Sequence, residues 1–562
     1  MGSSKAITNH SSAFSWKLSI LLVFAFVLRF WGVWFGLPDL YHADEPIVVN
    51  HALAYGTGDL NPHFFNIPPL VSYLLFVCYG IFYLVGRGVG IFHSLSDFEN
   101  LFYADPTLFY LIARLLFGVF IGTATVYLLY RLVRRFWDRR TAFWAAFFLA
   151  VNFLHARDSH YVYVDIPLLF TMLAGMFVFF QLMMKPLSLR LHALAGAMIG
   201  LAVAVKYNGA FLALPYLWIC LKKISWKKWA PAWLLAAGCA ICAFILLNPF
   251  AILDWRFFIK ELAEQSAANI GGLPWIHHLR YSLLGAMGWP FLLFALIAWG
   301  RALFSKNVPT QALAVFVLGY YLVLCKWGQP YDRYVLPLVP FLCILAADLL
   351  AVIVSKFPKM KLLFSGLLIL AVLPPALKIV QWDRIMGAKD ARTIAKEWIE
   401  KNVPAGSRVA LDWEFYMPRL EFSRAQLLEK AAERELSEGQ RRKLEAMLAQ
   451  SQQPSYDIFF MVPDTNAPRF LFARPVVPFD LNSIKSHGIE YVLVAEGIRS
   501  ANDVFLKELE KNGELIVRFT PFKDSARDVL LDTRPLTGGP FLWQDIVKRQ
   551  RNGYPVRIYK LK

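Results

Sequence analysis

Long apolar stretches alternate with short polar segments from residue 15 to about residue 380. Twelve apolar windows lie in this part of the chain, and an α-helix needs about 20 such residues to cross the hydrocarbon core of a bilayer. The windows predict eleven to thirteen membrane spans. The number stays open because segments 37–66 and 91–106 both carry acids and no Lys or Arg, while window 69–90 between them is long enough to cross.

The pattern changes after residue 380, where charged residues become dense. Trp382–Lys401 predicts an amphipathic helix and Ser423–Gln452 a charged helical stretch. Five short runs have the composition of β-strands: Val409–Leu411, Ile458–Val462, Tyr491–Val494, Leu515–Phe519 and Val556–Tyr559. We therefore expect a polytopic α-helical membrane domain at 1–380 and a soluble α/β domain at 381–562.

Composition agrees with this division, and it argues against a soluble globular protein, a disulfide-rich protein and a nucleic-acid-binding protein. Hydrophobic residues make up 57% of the chain and charged residues 17%, against roughly 45–50% and 25% in soluble globular proteins. All six cysteines lie in apolar stretches, so no disulfide framework is predicted. The net charge of +18 does not indicate nucleic-acid binding, because many basic residues sit in short loops between apolar windows.

The basic loops predict the orientation of the chain. Arg131–Arg140 and four later basic loops mark the cytoplasmic side, since Lys and Arg are enriched in cytoplasmic loops. The acidic segment after the first window, segments 155–165 and 326–333 and the C-terminal domain then lie on the extracytoplasmic side. The cysteine-free tail favours a bacterial inner membrane over an endoplasmic reticulum.

Polar residues cluster at the extracytoplasmic ends of the predicted spans, where they are costly and therefore worth inspecting. Asp44-Glu45 follows the first span; one carboxylate can serve as a general base, or Asp44 can simply cap the helix that Pro46 begins. His63 precedes the paired prolines Pro68-Pro69, which can also merely start a helix.

Two further clusters have similar alternatives. Asp158, His160 and Asp165 fall at one membrane boundary, where Asp and His are compatible with a divalent cation, although their spacing matches no metal signature. Lys206-Tyr207 and Arg333-Tyr334 interrupt apolar runs. Their cations either snorkel to the membrane surface or, together with Arg114, hold a phosphate there.

This set of motifs resembles the GT-C superfamily of membrane glycosyltransferases, particularly the protein O-mannosyltransferase and aminoarabinose-transferase group. The resemblance covers roughly residues 15–380. The residues that carry it are Asp44-Glu45, Pro68-Pro69-Leu70, Arg114, Asp165, Lys206-Tyr207 and Arg333-Tyr334-Val335-Leu336-Pro337-Leu338-Val339-Pro340.

The resemblance implies an inverting glycosyltransferase that takes a sugar from a polyprenyl-phosphate donor. The acceptor would be a lipid, a glycan or a protein on the extracytoplasmic face, and membrane lipids would surround the protein. Asp44 would be the base, with Glu45 and Asp165 as its catalytic partners. Two further sets of residues are implied: a donor-phosphate set of Lys206, Arg333, Arg114 and Tyr334, and a substrate-binding set of Asp158, His160, His63 and Tyr207.

The resemblance requires no cofactor, although a divalent cation is compatible with the acids. A lipid or solute transporter, such as a flippase, is the main alternative function. Transporters often carry paired repeats and charges near the midplane, whereas here the polar groups gather at one face. A catalytically silent relative that assists assembly is the third alternative.

Overall fold

A computed structural model of the protein describes residues 16–268, 275–329, 331–412, 416–433, 436, 438–449, 454–463, 475–496, 503–523 and 543–562. The apolar part of the chain is helical. Its α-helices are α1 (Trp16–Phe30), α2 (Glu45–Ala54), α3 (Leu70–Gly88), α4 (Leu95–Ala104), α5 (Thr107–Ala113), α6 (Ile121–Phe136), α7 (Arg139–Ala150), α8 (Phe153–Asp158), α9 (Asp165–Leu182), α10 (Leu189–Val205), α11 (Ala213–Lys223), α12 (Trp226–Leu247), α13 (Phe250–Leu253), α14 (Trp255–Ala268), α15 (Leu284–Met287), α16 (Trp289–Leu303), α17 (Val308–Leu324), α18 (Val339–Lys356) and α19 (Lys361–Gly387).

Tighter and wider turns join several of these helices. The 3₁₀ segments are Tyr55–Thr57, Tyr207–Leu212, Asp332–Leu338 and Pro358–Met360, and the π-helical segments are Arg114–Phe120 and His278–Leu283. These breaks matter for the site, because wider or tighter turns inside helices are frequent at functional positions.

Among the described residues, six helical segments are long and apolar enough to cross a membrane: Leu70–Gly88, Thr107–Phe136, Asp165–Leu182, Ala230–Leu247, Asp332–Lys356 and Pro358–Asn402. A seventh arises if His278–Met287 and Trp289–Leu303, which bend by 111°, form one span. This is fewer than the eleven to thirteen spans predicted, because several apolar windows form short helices. Helices α10 and α17, for example, are apolar but have only 17 residues each. Lys206 ends α10 in extended backbone, and a 3₁₀ turn follows before α11, so the predicted break between these two windows lies at Lys206.

Close helix packing forms the core of this part. Helices α6, α7, α9 and α18 carry many side chains that are 0–2% exposed. Helix α10 approaches α12 so closely that a Cβ atom on Gly196 would come within 2.0 Å of the Ala236 carbonyl oxygen. Small residues allow this backbone approach, as is usual between membrane helices.

The C-terminal part forms an α/β unit. Its helices are α20 (Ala391–Asn402), α21 (Arg424–Ala431), α22 (Glu438–Ala449), α23 (Leu481–Ser486), α24 (Asp503–Asn512) and α25 (Trp543–Val547). Its strands are β1 (Arg408–Leu411), β2 (Glu421–Phe422), β3 (Ser455–Val462), β4 (Val476–Pro478), β5 (Tyr491–Ala495), β6 (Gly513–Phe519) and β7 (Val556–Leu561).

These strands form one sheet in the order β2-β3-β1-β5-β7-β6, with β4 paired to β3. The first five strands in chain order pair in parallel, and β7 pairs antiparallel with β5 and β6. Each of the five predicted strand segments lies within a strand of this sheet. The predicted fold class, a helical membrane protein with a C-terminal α/β unit, is thereby confirmed.

Two predicted helices of this part are divided. The helix predicted at Trp382–Lys401 is broken at residues 388–390, because the Asp390 side chain accepts a hydrogen bond from the Arg392 backbone and starts α20. The stretch Ser423–Gln452 forms α21 and α22, and residues 434–435, 437 and 450–452 of it lie outside the described residues.

Helix α19 continues through the predicted domain boundary at residues 380 and 381. Trp382, on its last turns, is 0% exposed, contacts Phe153 of α8 and belongs to one buried cluster with Leu28 of α1 and Ile546 of α25. The C-terminal unit therefore packs directly on the end of the helical part.

Candidate active site

Asp44, in the loop between α1 and α2, meets Arg333 from the other half of the chain. Nη1 of Arg333 donates to Oδ2 of Asp44, and the two side chains are 19% and 23% exposed. Nδ1 of His42 accepts a hydrogen bond of 3.3 Å from the backbone N–H of Asp44. The neutral His42 ring therefore carries its proton on Nε2, which leaves Nε2 as a hydrogen-bond donor.

Glu45 is paired with Arg114 at the start of the π-helical segment. Nε of Arg114 lies 2.8 Å from Oε1 and Nη2 lies 2.7 Å from Oε2, and both side chains are at most 1% exposed. Glu45 Oε1 also accepts from the backbone N–H of Val162, while Arg114 donates to the carbonyl oxygens of Val33 and Phe35. The pair thus ties the Asp44 loop to two neighbouring segments.

A second arginine lies between two carboxylates. Nε of Arg157 donates to Oδ1 of Asp158 at 2.7 Å, and its Nη1 and Nη2 donate to the two oxygens of Asp332 at 2.6 and 3.0 Å. The exposed fraction of Arg157 is 2%, that of Asp158 9% and that of Asp332 4%. One guanidinium therefore fixes the end of α8 to the segment that leads into Arg333.

Asp165, the first residue of α9, pairs with Lys206 at the end of α10. Nζ of Lys206 lies 2.6 Å from Oδ1 of Asp165 and 5.4 Å from the centre of the Tyr334 ring. The extended backbone that ends α10 at Lys206 places this cation at the helix end and not inside a span. Oδ2 of Asp165 is buried and has no hydrogen-bond partner in the described part of the chain.

These ion pairs converge on one cleft of about 390 Å³. It is lined by His42, Arg157, Asp158, Tyr161, Tyr163, Asp165, Ile166, Tyr331, Asp332 and Arg333. Of the residues predicted from sequence, Asp158, Asp165 and Arg333 line the cleft directly. Asp44 and Lys206 are joined to it through their ion pairs with Arg333 and Asp165.

The charge state of Asp44 follows from its neighbours. Burial opposes its ionisation, but Arg333, with smaller contributions from His42 and Lys206, outweighs burial and lowers the pKa of Asp44 below its ordinary value. Asp44 is therefore a carboxylate across the neutral range, as a general base must be.

Asp158 behaves in the opposite way. Burial raises its pKa to about 6, nearby Asp332 and Asp165 add to the rise, and Arg157 opposes it. The buried Oδ2 of Asp158 has no hydrogen-bond partner among the described residues. Two carboxyl groups of one site therefore have pKa values pushed apart, an arrangement typical of acid–base sites.

The other predicted residues lie outside the cleft lining. Glu45 and Arg114 form a buried ion pair with each other. His63 is exposed and pairs with Asp59 at 2.9 Å, and the Tyr207 hydroxyl donates to the Phe65 carbonyl oxygen at 2.8 Å.

His160 is also away from the cleft. It is fully buried, and its ring nitrogens lie 2.9 Å from the Ala156 carbonyl oxygen and 3.0 Å from that of Trp31. Burial lowers its pKa to about 4, which keeps the ring neutral. The neutral ring carries one N–H and therefore donates to only one of these two carbonyl oxygens at a time.

The sequence reasoning did not single out His42, Tyr161, Tyr163 or Asp332 as site residues, although all four line the cleft. Tyr161 stacks on His42 with ring centres 4.2 Å apart, and the Arg333 guanidinium lies 5.1 Å from the Tyr163 ring. Asp332 directly precedes Arg333, so the adjacency of an acid and a predicted cation was the available signal.

No group of three or more His, Cys, Asp or Glu side chains suited to a metal ion occurs among the described residues. In the cleft itself, Asp158 and Asp332 share Arg157, and Asp165 holds Lys206. Each of these carboxylates is thus paired with a basic side chain, and Asp158 and Asp332 share one arginine.

Residues 19–262 match the family model described as dolichyl-phosphate-mannose-protein mannosyltransferase. Dolichyl-phosphate-mannose–protein mannosyltransferase 1 of Saccharomyces cerevisiae is 28% identical over 258 residues, which are 43% of this chain. The aligned part is 29% of the yeast protein, so this chain matches less than a third of that relative's length.

The fold is similar to that of ArnT from Cupriavidus metallidurans, solved in complex with undecaprenyl phosphate. The TM-score is 0.51 at 14% identity, and the match covers 90% of this chain and 96% of ArnT. Together with the family match, this confirms the GT-C resemblance predicted from the sequence. The family model and the yeast relative are both described as mannosyltransferases, so these findings give no support to the transporter alternative.

Proposed function

We propose that this protein, which has a GT-C fold, is an inverting glycosyltransferase that moves a sugar from a polyprenyl-phosphate donor to an acceptor hydroxyl. The observation that carries the proposal is the convergence of Asp44, Asp165, Lys206 and Arg333 on one cleft at the helix ends. The match to a dolichyl-phosphate-mannose-protein mannosyltransferase model supports the donor class. The acceptor is a lipid, a glycan or a protein.

Asp44 acts as the general base. The acceptor oxygen attacks the anomeric carbon on the face opposite the phosphate, and the C1–O bond to the phosphate breaks as the new C–O bond forms. The acceptor proton passes to Asp44, and the bonding electrons leave with the phosphate. A single displacement of this kind inverts the anomeric configuration, and a positioned base typically contributes about 10²–10⁴-fold.

Lys206 and Arg333 receive the departing phosphate. Lys206 uses one of its N–H groups on Asp165, and the buried Nε of Arg333 has no partner among the described residues. Both cations therefore retain donors for phosphate oxygens while they stay paired. Such preorganised cations stabilise charge that develops in the transition state. Tyr334, whose ring faces Lys206, keeps that ammonium group at the edge of the cleft.

The sugar or acceptor hydroxyls bind the two unpartnered carboxylate oxygens. Oδ2 of Asp158 and Oδ2 of Asp165 are buried acceptors without donors among the described residues, and a buried acceptor without a donor costs about 1–3 kcal/mol. A ligand hydroxyl relieves this cost. His42 supplies the complementary donor from Nε2, which the Asp44 amide leaves protonated.

The cleft and the C-terminal α/β unit lie on the extracytoplasmic side of a bacterial inner membrane in this proposal. The basic loop Arg131–Arg140 supports the orientation, because Lys and Arg mark cytoplasmic loops. A polyprenyl phosphate reaches such a site within the membrane plane, so no nucleotide-binding loop is needed. The predicted division of the chain at residues 380 and 381 falls within α19, which ends at Gly387, and the α/β unit begins with α20 at Ala391.

Sugar transfer by the purified protein tests this proposal. The protein is placed in liposomes with radiolabelled polyprenyl-phosphate hexoses and pentoses and an extract of envelope acceptors, and loss of label from the donor is followed. We expect transfer by the wild type, and a decrease of at least about 100-fold for Asp44→Asn with an unchanged unfolding temperature.

The matched control is Asp59→Asn, which removes a carboxylate that is 60% exposed and does not line the cleft. This variant should transfer at the wild-type rate. Full activity of Asp44→Asn would contradict the assignment of the base. Flux of label across the liposome membrane without transfer would favour the transporter alternative.

A further inference from the structure

The loop that carries the proposed base begins with a strained turn. Leu40 has a φ of +57°, in the left-handed region that residues with a Cβ rarely adopt. Its backbone N–H donates to the Gly36 carbonyl oxygen at 2.7 Å. Strained backbone of this kind persists only when the surrounding structure holds it, so something must hold the loop on either side of Leu40.

Helix α20 of the C-terminal unit holds that turn. Nζ of Lys396 lies 2.9 Å from Oδ1 of Asp39, and the Thr393 hydroxyl donates to Oδ2 of Asp39 at 3.0 Å. The guanidinium of Arg392 lies 3.7 Å from the centre of the Tyr41 ring. Asp39 and Tyr41 are 8% and 5% exposed, so these contacts are buried.

Asp44, the proposed base, lies between two residues that are held by buried ion pairs. Glu45, directly after Asp44, is held inside the helical part by Arg114. Asp39, five residues before Asp44, is held by Lys396 of the C-terminal unit. The side chain of Asp44 therefore owes its position to both parts of the chain.

We propose that α20 is a positioning element for catalysis: Lys396 and Arg392 hold the Asp39–Tyr41 turn and thereby hold Asp44 against the cleft. This inference rests on the proposed function, because it concerns the base of that reaction. Misplacing a reacting group by about 1 Å costs around 100-fold in rate. The C-terminal unit thus contributes to turnover without lining the cleft.

A second ion pair of the same unit serves as the matched control. Lys389 and Glu397 lie 2.7 Å apart at Nζ and Oε1 and are 55% and 53% exposed, and exposed pairs contribute only about 0–1 kcal/mol. The side chains of Lys396 and Asp39 are 16% and 4% exposed. Removing a cation from each pair therefore separates the effect of the buried contact from that of a lost surface charge.

The test compares Lys396→Met, Asp39→Asn, the double variant and Lys389→Met in the full-length protein. Hydrogen exchange of the backbone amides of residues 39–45 is measured together with kcat and the KM for the donor. We expect faster exchange and a kcat about ten- to 100-fold lower for each single variant of the Lys396–Asp39 pair, with the donor KM within about twofold. The double variant should be no worse than either single one, because both remove the same contact.

Three results would overturn the inference: exchange of residues 39–45 that does not change in Lys396→Met, equal changes in Lys389→Met, or losses in kcat that multiply in the double variant. Hydrogen exchange also separates this inference from the proposed function. If the wild type transfers no sugar, the proposed function fails, whereas exchange still shows whether α20 holds the loop.

Discussion

At the residue scale, the candidate site consists of acids that are already paired with bases. Two ion pairs join Asp44 to Arg333 and Asp165 to Lys206. In the proposed function, a phosphate or a hydroxyl binds beside these pairs, and no charged side chain is left unpaired. Burying an unpaired charge costs several kcal/mol, so pairing stabilises the charged side chains of the cleft. Each ion pair is therefore the resting state of one proposed catalytic group.

The pH dependence of transfer tests the pair of Asp44 and Arg333. The ordinary pKa of an Asp side chain is about 3.9. Because Arg333 lowers the pKa of Asp44, the acid limb of kcat/KM should lie below that pH. In Arg333→Gln the carboxylate loses this support, its pKa rises, and protonation begins at higher pH. We expect the acid limb to move up by about one pH unit or more.

Arg301→Gln is the control for that measurement. Arg301 also pairs with an aspartate, Asp348, at 2.9 Å, but neither residue lines the cleft. Its acid limb should coincide with that of the wild type. Coincidence of the Arg333→Gln limb with the wild type would contradict the role given to the pair.

Sequence reasoning found several of these residues for a physical reason. Asp44, Asp165, Lys206 and Arg333 stand out because a charge next to an apolar span is costly and rarely accidental. Asp332 and Arg157 lie 175 positions apart, and only the folded chain shows that they form one ion pair. The roles of the individual residues remain predictions for the experiments above to test.

At the element scale, the π-helical segment Arg114–Phe120 packs against the turn that follows α8. A Cβ atom on Gly118 would lie 2.4 Å from the Ser159 carbonyl oxygen and 3.0 Å from that of Tyr161. Since those atoms are backbone, they cannot rotate away. This glycine therefore sets the distance between the Arg114 segment and the residues that carry Asp158 into the cleft.

Gly118→Ala should consequently destabilise the protein and lower its transfer rate. Overpacking of this kind costs about 1–3 kcal/mol, which thermal unfolding of the solubilised protein would show.

Gly80→Ala is the control, because nothing lies within 4 Å of a Cβ atom at that position of α3. The control should be neutral or slightly stabilising, since Ala favours helices over Gly by about 1 kcal/mol. An unfolding temperature of Gly118→Ala equal to that of Gly80→Ala would contradict this packing argument.

Prediction succeeded for elements with a strong hydropathy pattern and failed where a side-chain cap divides a helix. The runs Val409–Leu411 and Tyr491–Val494 are apolar and contain β-branched valines, and both lie in the sheet. The break between α19 and α20 depends on Asp390, whose side chain caps Arg392 and also holds its guanidinium. Hydropathy carries no signal for such a cap inside a longer amphipathic pattern.

At the scale of the whole molecule, the helical part and the C-terminal unit meet at the loop that holds Asp44. Lys396 contacts Asp39 on one side, and Arg442 of α22 pairs with Glu99 of α4 at 2.8 Å on another. The sequence predicted both units, but charge and hydropathy could not show where they touch. That contact is what turns a separate α/β unit into a part of the proposed catalytic apparatus.

The central claim is that one cleft binds the phosphate of a lipid-linked sugar beside Asp44. An experimental structure with a non-cleavable polyprenyl phosphonate sugar tests it most directly. We expect phosphonate oxygens at about 3 Å from Lys206 Nζ and the Arg333 guanidinium, with the anomeric carbon facing Asp44. A phosphonate group bound away from both cations would contradict the account.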